Sequence, residues 1–94
     1  MTMAIEAAQF EAAQSELSAE EMYRMGLEAS TINDDGDVDL VTAHMWFNLA
    51  AMYGNIEARA YRAELSKEMA QEEIAEAQRL AREYLATHRP RRAS

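Results

Sequence analysis

The chain has 94 residues and a mass of 10.6 kDa, enough for one small domain with little room for a deep active-site cleft. Its formal net charge is −8, and it therefore lacks the basic surface that binds nucleic acid or anionic lipid. The absence of cysteine excludes disulfides, thiolate zinc sites and thiol catalysis. No apolar run approaches the roughly 18 residues that span a bilayer, and no signal peptide is visible. We expect a soluble, cytoplasmic protein that binds neither nucleic acid nor membranes.

The composition predicts an all-α protein of four or five helices, because glycine and proline are rare and good helix formers dominate. The first predicted helix covers residues 3–14 and carries a weak apolar stripe. That stripe consists of Ile5, Ala8, Phe10, Ala12 and Ala13. A second helix begins after Ser18, which forms a capping box with Glu21, and continues to about Ser30. Residues 31–37 are turn formers and predict a polar loop.

A third predicted helix follows this loop and is capped by Asp37 or Asp39. Its apolar positions are Leu40, Ala43, Phe47, Ala50 and Ala51, with Trp46 beside them and His44 on the helix flank. Gly54 is expected to end this helix in a left-handed conformation, and Asn55 offers the next N-cap. Two helices joined by so short a connection are expected to fold back as a hairpin.

The fourth predicted helix frays near Met69, and the fifth begins at about Gln71. The expected apolar positions of the fourth helix are Ile56, Ala60, Tyr61, Ala63 and Leu65. Those of the fifth are Ile74, Ala77, Leu80, Ala81, Tyr84 and Leu85. Residues 89–94, which contain Arg89-Pro90-Arg91-Arg92, predict a disordered basic tail.

The most informative segment combines bulk with small residues. Trp46 and Phe47 are followed one turn later by Ala50-Ala51 and then by Gly54. Gly26 interrupts an upstream helix, where glycine costs about 1 kcal/mol relative to alanine. Small residues allow two helices to approach closely, so Gly26 and the paired alanines predict a tight helix crossing.

This pattern resembles the Sel-one-like repeat, a branch of the tetratricopeptide-like α-solenoids. The positions that carry the resemblance are Met25-Gly26, Asp35-Gly36 with Asp39, Ala43-His44-Met45-Trp46, Ala50-Ala51 and Gly54. A shift of 37 residues places Ala63 opposite Gly26, and a shift of 38 places Ala81 and Tyr84 opposite Ala43 and Trp46. The resemblance implies a short right-handed stack of antiparallel helix hairpins, with a first repeat at 18–54, a degenerate capping repeat at 55–88 and an additional helix within residues 1–17.

The resemblance also implies a non-catalytic adaptor that holds a peptide or helix of a partner protein. The expected contacts line the concave side of the stack and are Glu20, Tyr23, Arg24, Leu27 and Tyr61. The acidic charge favours a basic or neutral partner segment. The alternative is a structural or regulatory protein that acts as a homodimer or as a docked subunit, through the helix at 3–14 or the one at 74–85.

The sequence gives only weak signals for a metal site or for catalytic residues. The acidic loop at 33–39 suggests calcium, but alignment to an EF-hand places Thr42 where a bidentate glutamate is required. An Asp-rich turn with helix caps is the favoured interpretation. His44 and His88 lack metal-ligand spacing, and Glu72 and Glu73 are adjacent and point in different directions. We therefore expect no metal, no cofactor and no catalytic residue.

Overall fold

The computed structural model describes residues 17–31 and 34–88. This part of the chain contains four helices and no strand, which confirms the all-α prediction. The helices are α1 (Ala19–Ala29), α2 (Leu40–Met52), α3 (Ile56–Ser66) and α4 (Gln71–His88). The predicted helix at 3–14 and the predicted basic tail at 89–94 lie outside the described residues.

The beginnings of the first three helices are fixed by side chains, as the sequence predicts. Glu21 N donates to Ser18 Oγ at 3.1 Å, and Ser18 N donates to Glu21 Oε1 at 2.8 Å, so the capping box of α1 is complete. Asp39 caps α2 by accepting from the backbone N–H of Thr42 at 3.0 Å. Asn55 caps α3 by accepting from Ala58 N at 2.8 Å. These local bonds determine where each helix starts.

The turn between α2 and α3 is compact because Gly54 adopts a φ of +105°, which side-chain-bearing residues rarely do. Its N–H donates to the carbonyl of Ala51 at 3.1 Å, and the N–H of Asn55 donates to that of Ala50 at 2.9 Å. This bonding pattern is a Schellman motif, which satisfies the last carbonyls of α2. Asn55 thus ends one helix and caps the next, so α3 folds back on α2.

α2 is the central helix, and α1, α3 and α4 each pack against it. α3 and α4 touch each other only marginally, so the second predicted helix pair is far more open than the first. The buried core is built mainly from small residues of α2 and its neighbours around one large ring. It consists of Met22, Ala43, Phe47, Leu49, Ala50, Ala58 and Ala81.

The shift of 38 residues pairs positions of α2 with positions of α4, and the paired residues share one region of the structure. Ala43 and Ala81 are both buried in the core. The rings of Trp46 and Tyr84 meet edge to face, with centroids 5.2 Å apart. The apolar face of α4 is therefore already used inside the molecule.

The expected apolar face of α3 is wrong at three of its five positions, whereas Leu65 packs against the core and Tyr61 stacks on Phe47. Ile56 is 77% exposed, and Ala60 and Ala63 also face solvent, whereas Ala58 is the buried residue of this helix. Ala63 consequently does not occupy a close-packed position equivalent to Gly26. The reason is that α3 contacts α2 through a different face, and α4 does not cover its other side. Met69 is buried in the loop after α3 and is not part of a frayed helix end.

Candidate functional site

The crossing of α1 and α2 depends on Gly26, which is buried. A Cβ atom at this position would lie 2.6 Å from both Cδ1 and Cε1 of Phe47, closer than real Cβ atoms approach any atom. The predicted close contact at Gly26 therefore exists, and the atoms nearest to it belong to the Phe47 ring. Ala50 is buried in the core and Ala51 is half-buried beside it.

Phe47 is the base of an aromatic cluster that we define as Tyr23, Phe47 and Tyr61. Tyr61 of α3 stacks on Phe47, with ring centroids 5.2 Å apart and planes inclined by 20°. Tyr23 of α1 lies 6.0 Å from Phe47 and 5.9 Å from Tyr61. Because α1 and α3 otherwise approach each other only weakly, the tyrosine pair bridges them. The sequence nominated both tyrosines as contacts; the structure brings them together.

The aromatic cluster is only partly accessible. Phe47 is fully buried, Tyr23 is half-buried and Tyr61 remains 44% exposed. Burial raises the pKa of the Tyr23 phenol, and the neighbouring Tyr61 and Glu57 raise it further. The tyrosine pair thus lies at a partly accessible surface, close to the carboxylate of Glu57.

The other three predicted contacts differ in accessibility. Glu20 and Arg24 are exposed and form an ion pair of 3.6 Å along one side of α1. Leu27 is half-buried and packs against the core, so it offers less surface than Tyr61. The remaining motif residues have structural positions: Gly36 turns the loop with a φ of +84°, and Met25 is half-buried on α1.

The interface between α2 and α3 contains two polar contacts besides its apolar ones, and the sequence patterns did not predict them. His44 is 2% exposed, in contrast to the flank position expected for it. Ser66 Oγ donates to the carbonyl of Arg62 at 2.9 Å, and it accepts from His44 Nε2 at 3.0 Å. One turn away, Arg62 Nη1 donates to Asn48 Oδ1 at 2.7 Å.

These two bonds have an antiparallel register that the sequence could have suggested. His44 and Asn48 are four residues apart on α2, and Arg62 and Ser66 are four apart on α3. The earlier residue of one pair bonds the later residue of the other, as antiparallel helices require. The signal was the matched spacing of polar residues, which is recognisable only once the hairpin is assumed.

The His44 ring is incompletely satisfied. Its Nδ1 atom is buried and has no hydrogen-bond partner in the described part of the chain. Burial lowers the pKa of His44, and the positive charge of Arg62 lowers it further. The imidazole is therefore held neutral, with its proton on Nε2, where Ser66 accepts it.

Other surfaces offer little chemistry. A shallow groove of about 420 Å³ runs beside the end of α4, between Met45 and Leu80 and toward Tyr84 and His88. Across residues 17–31 and 34–88, no group of three or more histidine, aspartate or glutamate side chains could hold a metal ion. Within the same ranges, no helix has both the length and the apolar character to cross a membrane.

The chain was compared with known proteins at three levels. Neither a protein-family model, nor a curated protein, nor a solved structure matches it. The candidate site is therefore defined by its own geometry, as a partly exposed tyrosine pair on a buried phenylalanine.

Proposed function

We propose that this chain is a non-catalytic protein–protein interaction module that resembles a Sel-one-like repeat and holds a peptide or helix of a partner protein. The observation that supports this proposal most directly is the aromatic cluster. Tyrosine is favoured at binding surfaces because its ring buries a large area and its hydroxyl stays hydrated. Here Tyr61 is 44% exposed, yet its ring is held in place by stacking on Phe47.

Such a fixed anchor loses little side-chain entropy on binding, and most of its free energy is available for the contact. A freely rotating surface tyrosine would lose more side-chain entropy on binding. The rigid packing of Phe47 against Gly26 therefore supports the surface from below. We propose that the partner covers Tyr61 and the accessible edge of Tyr23, with micromolar affinity unless the partner is itself rigid.

The charges near the aromatic cluster favour a basic or neutral partner segment. Glu57 lies close enough to Tyr23 to affect its pKa, while Glu20 is exposed beside Arg24. The whole chain carries a charge of −8, which accelerates the approach of a cationic segment and repels an anionic one. Binding is accordingly expected to weaken as salt concentration rises.

The test is affinity capture from a native lysate, followed by mass spectrometry. Tyr61→Ala and Tyr23→Ala should each lose the captured partner, and Glu57→Lys should weaken its capture. Tyr53→Ala is the matched control, because Tyr53 is 41% exposed but lies outside the aromatic cluster, at the end of α2. Circular dichroism of each variant establishes that the domain is still folded. A partner retained equally by the Tyr61 and Tyr53 variants would contradict the proposed surface.

A second candidate function, a docked subunit or homodimer, is favoured by the uncovered face of α3. Ile56, Ala60 and Ala63 are exposed at helical spacing, and Met52 nearby is 56% exposed. The face of 74–85 is not available for this role because it packs on α2. Sedimentation over a concentration series tests this alternative: a monomer at all concentrations above low micromolar opposes the homodimer, and Ile56→Glu should abolish any dimer that forms.

A further inference from the structure

We propose that protonation of His44 detaches α3 from α2, while α1, α2 and α4 stay packed together. Detachment of α3 separates Tyr61 from Tyr23 and Phe47, so the aromatic cluster is lost. The role of this opening in partner release rests on the function proposed above, but the opening itself does not.

Among the four described helices, α3 has one substantial neighbour. It packs on α2, whereas it touches α1 and α4 only marginally. Ala58 is the residue of α3 that is buried, and Leu65 and Tyr61 pack beside it against the core and the Phe47 ring. The bonds from α3 to His44 and Asn48 are its polar attachment to α2. The outer face of α3, with Ile56 at 77% exposure, is free. A helix held on one side in this way can separate without breaking the rest of the core.

The other helices keep their own contacts. Gly26 of α1 lies against the Phe47 ring, and the Tyr84 ring of α4 meets the Trp46 ring of α2 edge to face. Ala81 of α4 belongs to the same buried core as Ala43 of α2. None of these contacts passes through α3. Loss of α3 therefore leaves α1, α2 and α4 packed together, and of the residues in the core cluster only Ala58 belongs to α3.

His44 is placed where a positive charge cannot be accommodated. The ring is 2% exposed, and Ser66 already accepts the proton on Nε2. A second proton would bind Nδ1, which has no acceptor within the described ranges, and a buried donor without an acceptor is costly. On α3 the charged group that acts on the ring is Arg62, which is also cationic. Among the described side chains, none of the charged groups on α1 or α4 contributes to the shift in the pKa of His44.

The sign of the pH dependence follows from this arrangement. The pKa of His44 is lowered in the closed state, and it returns toward 6.5 when the ring is exposed to water. The open state therefore binds more protons than the closed state as the pH falls below about 6.5. Above that pH, protonation of His44 does not weaken the attachment of α3. Below it, the equilibrium constant for closing α3 onto α2 falls by up to about tenfold per pH unit, until the pH reaches the lowered pKa of the closed state.

The experiment follows hydrogen exchange of the full chain by NMR between pH 7.5 and 5, expressed as protection factors corrected for the intrinsic pH dependence of exchange. We expect the protection of α3 amides to fall by up to about tenfold per pH unit below 6.5, while α4 amides remain protected. His88→Gln is the matched control, because His88 is exposed at the end of α4, and it should behave as the parent. His44→Asn should make α3 protection independent of pH over this range.

A second readout uses the parent chain alone, so the result does not depend on the folding of the His44 variant. The close contact between the Tyr23 and Tyr61 rings should disappear at the pH at which the His44 ring signals titrate. Persistence of that contact after His44 is protonated would overturn the proposal, as would simultaneous loss of protection in α3 and α4. Because no partner is present, a negative result here leaves the proposed interaction function to its own test.

Discussion

Gly26 offers a sharp test of the packing that supports the aromatic cluster. Alanine at this position would place a Cβ atom 2.6 Å from two carbons of the Phe47 ring and 3.0 Å from a third. The ring cannot easily move away, because Phe47 is fully buried and Tyr61 stacks on it at 5.2 Å. Relief of the conflict requires separation of α1 from α2 or displacement of the ring.

The magnitude is a balance of two terms. Alanine improves the helix propensity of α1 by about 1 kcal/mol, whereas forcing an extra carbon into a packed core costs about 1–3 kcal/mol. The contact is so short that we place the cost toward the upper end of that range. Gly26→Ala should therefore lower the free energy of unfolding by about 1–2 kcal/mol. Gly26→Leu should lower it by several kcal/mol.

A double-mutant cycle isolates the steric cause. In a Phe47→Leu background the ring is gone, so Gly26→Ala should change sign and stabilise the protein by up to about 1 kcal/mol. Ala60→Gly on the exposed face of α3 measures the difference in helix propensity between alanine and glycine, because no packing changes at that position. Urea unfolding, monitored by circular dichroism, gives the free energies of unfolding. The dependence of each free energy on urea concentration should be the same in all variants. If Gly26→Ala stabilised the parent as well, the close approach to Phe47 would be refuted.

Two further predictions concern the start of α2. Asp39→Ala should lower the free energy of unfolding by about 1 kcal/mol in urea titrations, because the carboxylate caps the helix through Thr42. Asp39→Asn retains a hydrogen-bond acceptor and should lower it less. An alanine variant as stable as the parent would contradict the capping role. Calcium or a chelator should leave the thermal midpoint unchanged, because both carboxylate oxygens of Asp39 already accept hydrogen bonds from Thr42. A calcium-dependent rise in the midpoint would show that the acidic loop binds the ion.

The sequence located one part of the candidate site. Tyr23 and Tyr61 were predicted as contacts on a shared side, and the structure places their rings 5.9 Å apart. The sequence also predicted a close approach at Gly26, but it did not single out the Phe47 ring as the nearest neighbour. The His44–Ser66 bond was not anticipated, since it joins residues 22 positions apart and neither has an unusual local context.

By itself, the sequence determined where α1, α2 and α3 begin and where α2 ends. Ser18, Asp39 and Asn55 each bond a backbone N–H three residues away, and Gly54 closes α2 through its own backbone conformation. Such signals act over one helical turn and need no tertiary partner, so they can be recognised in the chain.

Only the tertiary structure decided which faces of the helices are buried. Ile56, Ala60 and Ala63 of α3 have the spacing of a core stripe, yet they face solvent because α4 packs on α2 and leaves that side open. Conversely, His44 is polar and is buried, since Ser66 lies opposite it on the returning helix. Helical spacing defines which residues share a face, but burial of that face depends on the distant segment that covers it.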